Sequence, residues 1–230
     1  MSHRSFKNRV YPQFARIAQA LASDRRLELI DLLAQSPRHV EALAEETDMS
    51  LANVSQHLQV LKNARLVETE RAGTRVIYRL ADPAVLRLWL SLRAVADARL
   101  PEVGVIAREF AIPGAEGESQ PAKAAISGAR KGDVFLIDVR PTEEFEYGHL
   151  PGAVNFAPGD LPARLAELPR DRPIVAYCRG QYCLFADEAV ALLREHGFDA
   201  HRLGGGWAEW RAEQEAGSPA RALAAGRRVG

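Results

Sequence analysis

The sequence predicts a mixed α/β protein of two modules, a mostly helical one closed by a β-hairpin and a second in which strands and helices alternate around a parallel sheet. Three observations predict it. Residues 11–64 carry apolar side chains at helical spacing broken by short turns. Residues 66–80 switch to a period of two on either side of a glycine turn. Beyond about residue 122, short apolar runs alternate with amphipathic helical stretches.

Helices are expected at Tyr11–Leu21, Asp24–Gln35, Val40–Thr47 and Leu51–Asn63. Ser23 or Asp24 can cap the second, Ser36-Pro37 stops it, and Ser50 can cap the fourth by accepting an otherwise unpaired backbone N–H. In the fourth helix Val54, Leu58 and Leu61 fall at i, i+4 and i+7 and form one apolar stripe. Leu66–Glu70 and Arg75–Leu80 alternate around Arg71-Ala72-Gly73-Thr74 as a hairpin. A helix from Pro83 to about Ala98 carries Val85, Leu88, Trp89, Leu92 and Val95, more apolar surface than its own module can cover, and fits a dimer seam.

Residues 99–121 are punctuated by Pro101, Gly104, Pro113, Gly114, Gly117 and Pro121 and read as a linker whose first part can order against a neighbouring domain. Val134–Ile137 and Ile174–Tyr177 suit buried parallel strands, and Cys183–His196 suits an amphipathic helix after the second. The expected organisation is a domain at 1–98, a linker at 99–121, a domain at 122–216 and a disordered tail at 217–230, rich in Ala, Gly and Arg.

At 230 residues and 47% hydrophobic content the chain can bury two modest cores. It has no apolar run long enough for a membrane span and its N-terminus lacks the apolar core of a signal peptide, so a cytoplasmic protein without a membrane partner is expected. The net charge of zero is unevenly distributed: residues 1–98 hold 14 Lys+Arg against 11 Asp+Glu, and residues 99–230 hold 16 against 19. The first module is the better candidate for nucleic acid. Both cysteines, Cys178 and Cys183, lie in one short segment, a spacing that favours a reactive or metal-binding pair over a disulfide framework.

Helix, helix, recognition helix, hairpin is the order of a winged helix-turn-helix. With Val54, Leu58 and Leu61 turned inward, Ser50, Asn53, Ser55, Gln56, Gln59 and Lys62 are offered to bases or phosphates, with His57 at the edge of the stripe. Arg71, Thr74 and Arg75 mark the wing, where guanidinium groups suit phosphate. The segments Ala42-Leu43-Ala44, Met49 to Leu61, Ala64-Arg65-Leu66-Val67 and Gly73 to Tyr78 resemble the ArsR-type repressors. That resemblance implies a homodimer, joined through its first and last helices, on an inverted-repeat operator in double-stranded DNA. Many members sense metal through cysteines near the helix before the recognition helix, but Arg38-His39-Val40-Glu41-Ala42 holds no thiol. The helix Pro83–Ala98 likewise lacks His and Cys, so neither a metal nor another cofactor is expected, and His39 and His57 read as surface or DNA-facing residues.

Cys178-Arg179-Gly180-Gln181-Tyr182-Cys183 joins a buried strand to a helix, where successive backbone N–H groups can turn inward and hold an anion. A Cys178 thiolate of lowered pKa is expected there, helped by the helix dipole and Arg179, with Gly180 permitting the bend. Together with Leu136-Ile137-Asp138-Val139-Arg140, Glu144-Phe145, Gly148 to Asn155 and Gly204-Gly205-Gly206-Trp207, the loop resembles the rhodanese superfamily. The resemblance implies that Cys178 takes sulfane sulfur from a donor such as thiosulfate or a low-molecular-weight persulfide and passes it on through a covalent persulfide. Related phosphatases need a longer loop with an arginine where Leu184 stands, so phosphate chemistry is disfavoured. Arg179 and Gln181 are candidates to recognise an anionic donor. Asp138 and Arg140 either flank the site or pair structurally, and Cys183 is either a packed residue or a resolving thiol.

The two resemblances together point to a DNA-binding regulator, a repressor by family analogy, that senses sulfane sulfur at Cys178. Two alternatives come from other classes: a sulfurtransferase tethered to DNA, and a repressor whose second domain is a scaffold without chemistry.

Overall fold

A computed structural model describes residues 2–217 and divides the chain into two units, Met1–Arg93 and a second beginning at Ala94. In the first, α1 (His3–Leu21) begins well before Tyr11, capped by Ser2, whose hydroxyl accepts the Ser5 N–H at 3.2 Å. Pro12 lies one residue beyond the expected start at Tyr11. It stands instead in the helix interior, where its missing N–H removes one bond of the ladder.

The core of this unit is centred on α2 (Asp24–Gln35), which buries Leu29, Ile30, Leu32, Leu33 and Ala34. After β1 (Arg38–His39), His39 caps α3 (Val40–Thr47), its Nδ1 accepting the Ala42 N–H at 3.1 Å. Ser50 caps α4 (Leu51–Asn63) through the Asn53 N–H, and Val54, Leu58 and Leu61 are fully buried.

In the hairpin of β2 (Val67–Ala72) and β3 (Arg75–Leu80), pairing continues to Ala72 opposite Arg75. The turn is therefore Gly73-Thr74 alone, shorter than the expected four residues, and Gly73 at φ +63° supplies the left-handed backbone it needs. The sheet order is β1-β3-β2. The next helix, α5 (Pro83–Arg99), buries Val85 and Leu86 here. Trp89, expected on the apolar outer surface, donates its indole N–H to Asp31 at 2.7 Å and so ties α5 to α2.

The second unit starts with the end of α5 and with α6 (Pro101–Glu109), so the first part of the expected linker is a helix. Pro101 had argued against one, but at the first helical position its missing N–H costs nothing. There follow β4 (Gln120–Pro121), α7 (Ala122–Lys131), β5 (Phe135–Asp138), α8 (Thr142–Tyr147), β6 (Val154–Asn155), a 3-10 turn at Leu161–Glu167, β7 (Ile174–Tyr177), α9 (Phe185–Glu195), β8 (Ala200–Gly204) and α10 (Trp207–Gly217). Among the described residues the strands form one sheet, ordered β4-β8-β7-β5-β6, with every pair parallel.

Parallel sheets are covered on both faces, which is why β7 reads as an unbroken apolar run. Ile174 and Ala176 pack with Ala186, Ala189, Val190 and Leu193 of α9, while Val175 and Tyr177 pack on the other face with Ala125, Ile126 and Trp207. Cys178 is next in this alternation and falls on the α9 face, at the carboxyl end of a central strand, where open α/β sheets place their ligands. The predicted helix Cys183–His196 starts only at Phe185, leaving Cys183 in the loop. The disorder expected for 217–230 lies outside the described residues, apart from Gly217, which ends α10. No described helix is long and apolar enough to cross a membrane.

Candidate functional site

The polar face of α4 is set by the stripe that α4 buries. Asn53, Ser55, Gln56, Gln59 and Lys62 are exposed and His57 is half-buried at the edge, as the helical period requires. These residues do not share one direction. Gln56 and Gln59 lie nearest the point opposite the buried stripe, together with Asn63, whose Oδ1 accepts from Gln59 Nε2 at 2.8 Å. Asn63 was missed because it was counted as the end of the helix. Lys62 lies on a flank, its ammonium 2.9 Å from Thr69 Oγ1 of the hairpin. Ser50 is exposed, its hydroxyl oxygen accepting the Asn53 N–H at 3.3 Å. Arg71, Thr74 and Arg75 are exposed around the two-residue turn, and Arg75 lies close enough to Glu41 to help hold that carboxyl below its usual range.

The cysteine loop is organised around two sulfurs. Cys178 is 1% exposed and Cys183 is half-buried. A turn closed by the Cys183 N–H on the Gly180 carbonyl at 3.2 Å brings the loop back on itself, and Gly180 has φ +152°. The Cys178 sulfur then lies 3.1 Å from the Cys183 carbonyl. Backbone groups of Gly180 and Ala186 act to lower the Cys178 pKa, and those of Arg179 and Phe185 to lower that of Cys183.

The expected acidic thiol at Cys178 is corrected by this geometry. Burial, and then the neighbouring Cys183, push the Cys178 thiol well up, whereas the hydrogen bond from Cys178 leads the effects that bring Cys183 down to about 7. Of the two thiols Cys183 is the more acidic.

Asp138 and Arg140 do not open onto the site. Both are fully buried, joined by Nε to Oδ1 at 3.0 Å and Nη2 to Oδ2 at 2.7 Å, and Asp138 also accepts the Arg140 N–H at 2.9 Å. Arg140 reaches the Gly148 carbonyl at 2.7 Å and faces the rings of Tyr177 and Trp207. Glu144, 1% exposed, stands 3.9 Å from Arg140 and 2.7 Å from Arg179. The Arg179 guanidinium is thus directed down into a buried row of alternating charges, not out toward an anionic donor as its sequence position suggested.

The outer side of the loop is held by Arg202 of β8, whose Nη2 bonds the carbonyls of Gly180 and Gln181 at 3.2 and 2.8 Å, while Nη1 pairs with Asp187 at 3.4 Å. With loop carbonyls drawn to Arg202, loop N–H groups are left for the sulfurs. Gly206 closes the back: a Cβ there would fall 2.4 Å from the Cys178 carbonyl oxygen, so only glycine lets the two backbones approach. Gln181, expected to help recognise an anionic donor, and Tyr182, expected only as a loop residue, bond Asp97 near the end of α5, Gln181 at 3.2 Å. They also border a cavity of about 740 Å³ with Val103, Ile106 and Phe110. Among the described residues no cluster of three or more His, Cys, Asp or Glu could hold a metal.

Residues 122–213 match the rhodanese-like domain, and residues 23–69 match the bacterial regulatory proteins of the arsR family. The chain is 46% identical over 199 residues, 86% of its length, to the HTH-type transcriptional regulator Rv0324 of Mycobacterium tuberculosis, covering 87% of that protein. It is 33% identical over 162 residues to the tRNA sulfurtransferase of Desulfurococcus amylolyticus, spanning 66% of this chain but only 30% of that enzyme. Among solved structures, the homodimeric winged helix-turn-helix DNA-binding domain of a possible ArsR-family regulator from Mycobacterium bovis is 47% identical, with a TM-score of 0.41, and the match covers 44% of this chain and 91% of that one. Since the match to Rv0324 runs through both units, the chain belongs to the ArsR family of transcriptional regulators and carries a rhodanese-like domain.

Proposed function

We propose that this regulator senses sulfane sulfur: residues 1–98 bind an inverted-repeat operator as a homodimer, and residues 122–216 take up sulfur at Cys178, which changes operator affinity. The observation that carries the reading is the paired-thiol loop, since both cysteines of the chain lie in it and the DNA-binding unit has none. Dimerisation through α1 and α5 is supported by their exposed apolar side chains, Phe6, Tyr11 and Phe14 on the first and Leu88, Leu92 and Val95 on the second. An intracellular operator and a thiol pair kept reduced both suit the cytoplasm.

In the uptake step the Cys178 proton passes to Cys183, and the Cys178 thiolate attacks the outer sulfur of thiosulfate. A sulfur–sulfur bond forms, the bond inside thiosulfate breaks, and sulfite leaves with the electron pair. The same attack on a low-molecular-weight persulfide releases a thiol.

The deciding experiment measures operator affinity of wild type and Cys178→Ser with and without thiosulfate or glutathione persulfide. A coupling of about 1–3 kcal/mol would change wild-type affinity roughly 5- to 150-fold, in the direction of release, and leave the variant unmoved. Equal affinity of sulfurated and reduced wild type would remove the sensing role. Steady sulfur turnover indifferent to operator DNA would then favour a tethered sulfurtransferase, the reading that the intact loop otherwise supports next best.

A further inference from the structure

We propose that Cys183 resolves the Cys178 persulfide: its thiolate attacks the Cys178 sulfur, closes an intramolecular disulfide and expels the carried sulfur as hydrosulfide. The proposal rests on sulfur uptake at Cys178 and adds a second activity to the loop, reduction of sulfane sulfur coupled to a thiol–disulfide latch.

Geometry favours this step over transfer to an external acceptor. The Cys178 sulfur lies 3.1 Å from the Cys183 carbonyl, so a persulfide formed on Cys178 lies against the residue that carries the nucleophile. The turn between Gly180 and Cys183 holds that approach without a change in fold. Cys178 is 1% exposed, and Cys183 is half-buried on the same loop. The backbone of Arg179 and Phe185 and the positive charge of Arg179 act to favour the Cys183 anion needed for attack.

The step balances without an added oxidant. Cys183–S⁻ and Cys178–S–SH give Cys178–S–S–Cys183 and HS⁻. The bond between the cysteine sulfurs forms as the persulfide bond breaks, and the leaving sulfur keeps its proton and takes the electron pair. Each cysteine sulfur is oxidised by one electron, and the sulfane sulfur is reduced by two. An external dithiol resets the loop by ordinary exchange.

The test mixes fully reduced full-length protein with thiosulfate alone, so that no small thiol is present, and follows sulfite, hydrosulfide and intact mass after alkylation. Sulfite and hydrosulfide in equal amounts, with a product two hydrogens lighter that maps to a Cys178–Cys183 disulfide, support the proposal. Sulfite with a stable protein one sulfur heavier, and no hydrosulfide, would overturn it while leaving Cys178 uptake intact. Absence of sulfite would overturn uptake itself. In Cys183→Ser, sulfur that does load onto Cys178 should persist; hydrosulfide release at the wild-type rate from that variant would also overturn the role of Cys183.

Discussion

The recognition helix and the cysteine loop both display polar groups, but they hold them in opposite ways. On α4, Asn53, Ser55 and Gln56 stand in solvent on a rigid apolar stripe, as suits side chains that must meet a base pattern supplied from outside. Around Cys178 the environment is buried and spoken for: Glu144 and Arg179 brace the loop from beneath, Arg202 from the side, and Gly206 from behind. A surface that reads a partner needs fixed backbone and free side chains. A site that stabilises a reactive sulfur needs the surrounding dipoles fixed before the reaction starts.

The largest effect that follows from this contrast is at Glu144. Glu144→Ala leaves Arg140 and Arg179 facing one carboxylate, Asp138, where two stood before, and should cost about 3–5 kcal/mol, the loss expected on breaking a buried ion pair. Urea unfolding of the full chain, read by hydrogen exchange at β7 amides, reports the second unit by itself. Glu144→Gln, which keeps the shape and loses the charge, should fall between. An Ala variant as stable as wild type would mean that the buried row does not brace the loop.

The next effect separates the two sulfurs. If the Cys178 hydrogen bond is the leading reason that Cys183 is acidic, Cys178→Ala, which removes the donor, should move Cys183 from about 7 up toward the ordinary thiol value of 9.0. Alkylation rate against pH measures it: below the midpoint Cys183 is a protonated, slow thiol, and above it a fast thiolate. A midpoint that stays near 7 in Cys178→Ala would assign the acidity to Arg179 and the loop N–H groups instead.

The same contrast explains what the sequence made legible. The Val54, Leu58, Leu61 stripe and the Ile174–Tyr177 run show their faces because burial repeats at the period of the element. The Cys178 loop was visible as a strand-to-helix junction. The groups that tune it were not: Arg179 meets Glu144 across 35 residues and Arg202 meets Gly180 across 22, separations that no local period encodes. The raised pKa of Cys178, where a lowered one was expected, was hidden for the same reason. It depends on which sulfur the sheet buries, and spacing does not carry that.

On the DNA side a smaller effect sharpens the comparison. Gln56→Ala should cost about 1–3 kcal/mol on the operator and relax selectivity at one base position. Arg71→Ala at the wing should instead weaken binding evenly across sequences and reduce the salt slope by about one. Competition binding against a randomised duplex pool distinguishes them. An unchanged sequence preference in Gln56→Ala would move base reading to the neighbouring Gln59 and Asn63.

The smallest effect concerns the exit from the recognition helix, where rigidity is achieved despite the residue used. Arg65 has φ +60°, a left-handed conformation that costs a side chain with a Cβ about 1–2 kcal/mol and costs glycine almost nothing. It is held there by the helix-ending bonds on both sides, Arg65 N–H to the Lys62 carbonyl at 2.9 Å and Leu66 N–H to the Leu61 carbonyl at 3.0 Å, with Leu66 buried beneath. Arg65→Gly should therefore raise the stability of the first unit by about 1 kcal/mol, less what the freer unfolded chain takes back. Arg65→Ala removes the same charge but keeps the Cβ, and should gain nothing. Thermal unfolding of both variants decides it: equal shifts would show that charge sets the change, whereas a rise confined to glycine shows strain stored at the end of α4 to fix the entry of the wing.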